Sequence, residues 1–307
     1  MKKLIMLCSL ALAGSSVQAQ TINVDPSALG DMFRKPLVVE FPDTNARPRA
    51  GVTQYPQKDL ADLIKAAVDD LWKLNAKVSF EDQDEVKKNL DRGDSRNNYL
   101  FLTKHPDFKK DQEVWVINYS RGSSVKEGKV DYQIYLPETK GRSNKDFTKT
   151  DVRFILSFMQ EHMKAIQKSG KVSTPGEYMY QEAEKNCKLL KERNILVDRG
   201  TLSKSVDEKA LKKAFRKVNF TLADSKGIEK MLDENSDTCA YIFKYPGKFQ
   251  SYTNSAFGEK YIFWFKLVVE TQNYRVMGVV GDGRKDNVMF ETETSDLKAL
   301  VECEKKK

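Results

Sequence analysis

Val78-Ser-Phe80, Val86, Leu90-Asp91 and Tyr99-Leu-Phe101 return in the same order as Val218-Asn-Phe220, Ile228, Leu232-Asp233 and Tyr241-Ile-Phe243. The second series stands 140 residues after the first at the Val-x-Phe pair and 142 after it from Val86 onward. Lys104-His-Pro106 and Lys244-Tyr-Pro246 close the two series. Recurrence of one spacing within a chain marks an internal duplication.

The flanking residues extend both copies. In the first, 36–41 is a short apolar strand, and Leu60, Leu63, Ile64, Ala67, Val68, Leu71 and Trp72 recur at the spacing of one helical face. A strand follows at 77–80, then a helix at 83–92 that Gly93 stops, then a strand at 99–102. Segments 114–119 and 130–136 read as a hairpin around Gly122 and Gly128. Val152, Ile155, Leu156, Met159, Met163 and Ile166 stripe a closing helix. The second copy runs strand 195–197, helix around Ala210 to Phe215, and strand 218–222. A helix capped by Asp224 or Ser225 and a strand at 239–243 come next. A long hairpin of 261–270 and 274–280, turned by Gln272-Asn273, leads to a helix capped by Thr294 or Ser295. The order β-α-β-α-β-β-β-α, twice, predicts an α/β fold with mixed sheets. The expected domains are 20–170 and 171–307, with 170–177 as linker and a helix from about Glu177 to Lys191 entering the second.

Ahead of both lies a segment of another kind. Lys2 and Lys3 precede an apolar run from Leu4 to Ala13, and Val17-Gln-Ala19 ends in a small residue. This reads as a signal peptide at 1–19, cleaved before Gln20. The run is about half the ~20 residues a spanning helix needs. Leu7 before Cys8 is not a lipobox residue, so no lipidation is expected. No transmembrane segment is expected, and the predicted location is the periplasm, with secretion or peripheral association with the envelope as alternatives.

Charged residues form 31% and apolar ones 40%, a globular balance, and the net charge is +8. Export takes nucleic acid out of reach. It leaves another envelope protein, anionic lipid or a cell-wall polymer as partner classes. Charges of both signs are interspersed, which favours a solvated surface over a dedicated basic face. Cys187, Cys239 and Cys303 remain after cleavage; one disulfide is open to them, and the sequence does not choose the pair.

In Val218-Asn-Phe220, Ile228 to Leu232, Cys239-Ala-Tyr-Ile-Phe243 and the 261–280 hairpin, the order of elements resembles a known group. It is similar to the small α/β domain shared by the curli-secretion lipoprotein, the activator lipoprotein of penicillin-binding proteins, and the N-terminal domain of the Tol translocation protein. The resemblance implies a compartment and a mode of action, binding to other envelope proteins, and carries over no catalytic residue.

Catalytic signatures are absent from the sequence. His105 and His162 do not form a His-Glu-x-x-His site, and each is expected to be solvated or capping. No Gly-x-Ser-x-Gly elbow or phosphate loop is present. Gly281-Asp-Gly-Arg-Lys-Asp286 lacks the alternating ligands of a calcium loop, so neither metal nor cofactor is expected. Trp115, Tyr119, Tyr261, Phe263 and Trp264 lie in the two hairpins, and they are the predicted aromatic binding surface. Lys266 and Glu270, interrupting the second stripe, are predicted to face solvent. The expected function is a non-enzymatic, exported binding or scaffold protein. The alternatives are a hydrolase or ligand-binding protein with its site between the domains, and a binder of anionic lipid or polymer.

Overall fold

A computed structural model describes residues 22–42, 54–104, 114–139, 142, 146–234, 237–281 and 291–302, with the backbone alone at 247–250 and 260–263. The leader, His105, Cys303 and residues 282–286 lie outside the described residues. The first half contains α1 (Pro26–Arg34), β1 (Leu37–Glu40), α2 (Leu60–Leu71), β2 (Val78–Glu81), α3 (Gln83–Arg92), β3 (Asn98–Lys104), β4 (Trp115–Arg121), α4 (Gly122–Lys126), β5 (Tyr132–Tyr135) and α5 (Lys149–Ser169). The second contains α6 (Pro175–Asn186), a 3-10 turn (Cys187–Glu192), β6 (Asn194–Asp198), α7 (Glu208–Ala214), β7 (Asn219–Ala223), α8 (Ser225–Glu234), β8 (Cys239–Gln250), β9 (Lys260–Glu270), β10 (Val276–Val280) and α9 (Thr294–Val301). The fold is α/β.

Two five-stranded mixed sheets have the orders β2-β1-β3-β4-β5 and β7-β6-β8-β9-β10. In each, the first strand is parallel to its two neighbours and the last two ladders are antiparallel. The registers correct one detail of the repeat. Val38 pairs with Ser79 and Tyr99, and Leu196 pairs with Thr221 and Tyr241. Ser79 therefore corresponds to Thr221, and the 142-residue offset already holds in the Val-x-Phe strand. A slide of two residues keeps every side chain on its own face, so the pattern matched at 140 as well. Lys104 likewise corresponds to Pro246, not Lys244: Lys104 pairs with Trp115 and Pro246 with Trp264.

Helix α5 lies between the sheets. A capping box of Thr148 and Asp151 starts it and Gly170, at φ +66, ends it. It buries a broad face that includes Val152, Phe154, Ile155, Met159, Met163 and Ile166, and leaves Glu161, Lys164 and Lys168 exposed on the other. Phe154 stacks on Phe243 of β8 with centroids 4.8 Å apart. One apolar cluster thus joins Leu37, Val39, Leu100 and Leu102 through Ile155 and Met159 to Leu196, Phe243, Leu267 and Val269. The far face of the second sheet has its own core, Ile195, Val197, Ile242 and Val268 against Leu211 of α7 and Leu297 of α9. The expected linker at 170–177 is a tight turn: Thr174 and Glu177 form a capping box, and Pro175 opens α6.

Helices α1 and α4 were not evident in the pattern; α1 is nine residues long and α4 a single turn. Glu293, rather than Thr294 or Ser295, caps α9, in a reciprocal box with Asp296. Strand β8 runs seven residues past the expected end at Phe243. From Tyr245–Phe265 to Gln250–Lys260 the β8–β9 ladder is paired to no third strand among the described residues.

Candidate functional site

Strand order places the candidate site. From β1 the chain crosses through α2 to β2 on one side, then through α3 to β3 on the other. Helix α2 packs with Leu37, Val39 and Leu100, and α3 with Val38 and Tyr99, so the two cover opposite faces. The carboxyl ends of β1 and β3 therefore form a topological switch point, where open α/β sheets leave a crevice for ligands.

An acid ends the first strand of each sheet. Glu40 closes β1, is buried, and accepts hydrogen bonds from Gln83 Nε2 at 2.9 Å and Tyr55 Oη at 3.2 Å. Burial pushes its carboxyl up to about 7, against the opposing pull of those two donors. Asp198 closes β6 and accepts from Ser225 Oγ at 2.6 Å and the Gly200 amide at 2.9 Å. Gln83 and Ser225 are themselves 142 residues apart, so both copies tie the strand-ending acid to the first residue of the second helix after it, α3 or α8. The space beside Glu40 is about 10 Å³, room for one water at most. These acids hold the switch point together rather than opening it.

The roomier pocket lies at the same end of the first sheet, about 160 Å³ in volume. Trp115 and Phe147 supply aromatic walls and Pro56, Pro137 and Pro246 flat apolar ones, and Glu138 and Asp146 are the ionisable residues of the described lining. Its walls are fixed. The Gln57 amide donates to Phe147 O at 2.9 Å and accepts from Phe147 N at 2.6 Å. The Glu138 amide donates to Lys244 O at 2.8 Å, binding this wall to β8. Pro246 makes the pocket a feature of both halves. No family model, curated protein or solved structure matches the chain. The residues themselves must carry the functional reading.

The predicted aromatic surface is corrected in part. Trp115, Tyr119 and Trp264 are buried. Tyr119 turns inward against Trp72, 5.7 Å between centroids, and only Trp115 reaches the pocket. Tyr261 and Phe263 take register positions in the ribbon, opposite Phe249 and Gly247; their side chains lie outside the described residues. Lys266 and Glu270 do not face solvent. Both are buried, Lys266 against Asp296 at 2.5 Å and Glu270 between Arg193 and Arg275. Strand alternation assigned them to one face correctly, but helix α9 and the two arginines cover that face.

His162 is neither solvated nor capping. It is buried, stacked 4.7 Å from Tyr178, with Nδ1 2.9 Å from Tyr132 Oη and Nε2 3.0 Å from Ser173 Oγ. Ser173, His162 and Tyr132 have the connectivity of a nucleophile, base and orienting group. Burial, however, lowers the imidazole to about 3, so it stays neutral, and a phenol in the third place brings no negative charge to stabilise an imidazolium. The trio fits a satisfied polar knot in the core. Sequence spacing gave no signal for it because Tyr132 and His162 sit on different elements. Among the described residues, no group of three or more His, Cys, Asp and Glu is placed to hold a metal, and no helix is long and apolar enough to cross a membrane.

Proposed function

We propose that this is an exported, non-enzymatic protein that binds another protein of the cell envelope, through the β8–β9 ribbon and the pocket at its base. The observation that carries the reading is the β8–β9 ladder beyond Tyr245–Phe265, which pairs with no third strand among the described residues. A two-stranded ribbon is marginal by itself, and this one is anchored at its root by the Glu138–Lys244 backbone bond and by Tyr245 Oη accepting from the Tyr135 amide at 3.1 Å. Its positions carry Lys248, Phe249, Lys260, Tyr261 and Phe263, and aromatic residues favour protein interfaces. Cys187 is disulfide-bonded, in keeping with an oxidising compartment and with the leader read at 1–19. The resemblance to envelope-binding α/β domains points the same way.

Cross-linking in intact cells that express the tagged protein, with neighbours identified by mass spectrometry, tests this. One reproducible envelope protein, lost on Tyr261→Ala/Phe263→Ala, is expected. Absence of any neighbour above background would overturn the reading. The second reading, a small-ligand protein with its site between the halves, is favoured by Pro246 closing a pocket built from the first half.

A further inference from the structure

We propose that the outer layer of the second half, built on α7, is a docking surface for an anionic phospholipid bilayer. The inference is separate from the binding function just given and uses another face of the molecule.

The mixing of signs seen along the chain does not hold over 204–217. This stretch has six cations, Lys204, Lys209, Lys212, Lys213, Arg216 and Lys217, against two acids, Asp207 and Glu208. Its excess of +4 (6 − 2) is half of the chain's +8. The corresponding stretch of the first copy, 142 residues earlier at 62–75, has three acids and two lysines. The basic character therefore belongs to the second copy, not to the crossover helix that both copies share.

Packing aims this charge outward. Leu211, Ala214 and Phe215 are buried in the core with Leu190, Val197 and Leu297, and Phe215 stacks on Phe220 with centroids 4.9 Å apart. With that side fixed to the sheet, Lys209, Lys212 and Lys213 share the opposite one, three and four residues apart. All six cations are exposed. Glu208 pairs with Lys212 at 2.8 Å, and Asp207 caps the helix through the Ala210 amide. Among the described residues, Lys204, Lys209, Lys213, Arg216 and Lys217 form no ion pair. Beside α7, Glu293 and Asp296 of the α9 capping box are turned to Ser205 and Lys266, and Lys298 and Glu302 are one charge of each sign. The segments flanking α9 outside the described residues do not reverse the balance. Residues 303–307 have three lysines and one glutamate, and 282–290 two acids and two cations.

Composition selects the partner. Protein interfaces are rich in aromatics and poor in lysine, whereas the outward side of α7 has lysine and no aromatic. A discrete phosphate is matched best by the arginine fork, and lysine acts as a point charge; five of the six cations are lysines. Point charges spread along a convex helix suit the diffuse negative potential of a bilayer, where each adds about fivefold to partitioning. The ribbon stays accessible. Strands β6 and β7 are parallel, so α7 returns the chain to their amino end, where Arg216 and Lys217 precede Asn219. The β8–β9 ribbon leaves the sheet at the carboxyl end.

Co-sedimentation of the purified full mature chain with vesicles tests this. Vesicles of phosphatidylcholine are compared with vesicles containing about 30 mol% phosphatidylglycerol. Binding to the anionic vesicles alone is expected, weakening at least about tenfold from about 50 to about 300 mM salt. Lys209→Ser/Lys213→Ser/Arg216→Ser/Lys217→Ser should weaken it at least about thirtyfold with the melting temperature unchanged. Lys87→Ser/Lys88→Ser/Lys164→Ser/Lys168→Ser removes the same charge from α3 and α5 and should bind within about twofold of wild type. Equal binding to the two vesicles, or equal loss in the two variants, would overturn the proposal. Tighter binding to soluble poly-glutamate than to the anionic vesicles would also overturn it, making an acidic chain the partner. Either failure leaves the envelope-protein reading standing, because the ribbon variant Tyr261→Ala/Phe263→Ala tests that reading on a different surface.

Discussion

Lys244 and Lys266 stand directly opposite each other across the β8–β9 ladder, both buried, at 3% and 1% exposure. Two like charges side by side in a core oppose each other, and the pair survives by division of labour. Lys266 donates to Asp296, while Lys244 donates to Thr201 O at 2.7 Å. Burial, with Lys266 beside it, brings Lys244 down to about 7. At the corresponding positions of the first sheet, Leu102 faces Ile117.

Lys244→Leu should therefore stabilise the protein, more at pH 6 than at pH 10. An unfolded lysine takes up its proton near 10.4, the folded one only near 7, so the wild type loses stability as pH falls through that window. Removing the amine should recover about 1–3 kcal/mol at pH 6, net of the lost bond to Thr201. Thermal melts at the two pH values check this; equal gains at both would show that Lys244 is not desolvated.

Glu40 has the opposite pH profile. Its folded pKa near 7 lies above the ordinary value, so its contribution is fully present in acid and is lost as pH rises through 7. Glu40→Gln keeps the contacts to Tyr55 and Gln83. It should be up to about 3 kcal/mol more stable than wild type at pH 8 and indistinguishable at pH 4. Denaturant midpoints at both pH values decide it.

His162 sets an acid limit. The imidazole protonates only near 3 when folded and near 6.5 when unfolded, so stability falls as pH drops from 6.5 toward 3, by up to about 4 kcal/mol. In His162→Gln this acid-sensitive component should vanish. A variant whose acid unfolding midpoint stayed at the wild-type value would place the sensitivity elsewhere.

The halves should unfold together. Phe154 on Phe243 belongs to a core that runs unbroken through α5. Calorimetry should show one transition, and Phe154→Ala should cost about 3–5 kcal/mol measured across the whole chain. Two resolved transitions in wild type would mean that the shared core contributes little.

Cys239 is a free, buried thiol, whereas Cys187 is disulfide-bonded. With Cys8 in the predicted leader, Cys303 is the expected partner. Non-reducing peptide mapping should link 187 to 303, and reduction should lower stability by about 3–5 kcal/mol for so long a loop. A Cys239-containing crosslink would contradict the assignment.

The sequence by itself determined what periodicity encodes. Alternation in 99–102 and a 3.6-residue stripe in 152–166 are local signals, and their double occurrence fixed the order of elements and the mixed α/β class. It named Trp115 but could not say that Trp115 lines a pocket while Tyr119 turns inward, because that depends on the loops 136–139 and 146–147 closing over one end of the sheet. It assigned Lys266 and Glu270 to the correct strand face and the wrong environment, since α9, Arg193 and Arg275 arrive from distant positions. Whether two tandem copies stand apart or share a core was decided by α5. Its broad apolar face meets the first sheet through Ile155 and Met159 and the second through Phe154 on Phe243, and burying surface on both sides favours joining them.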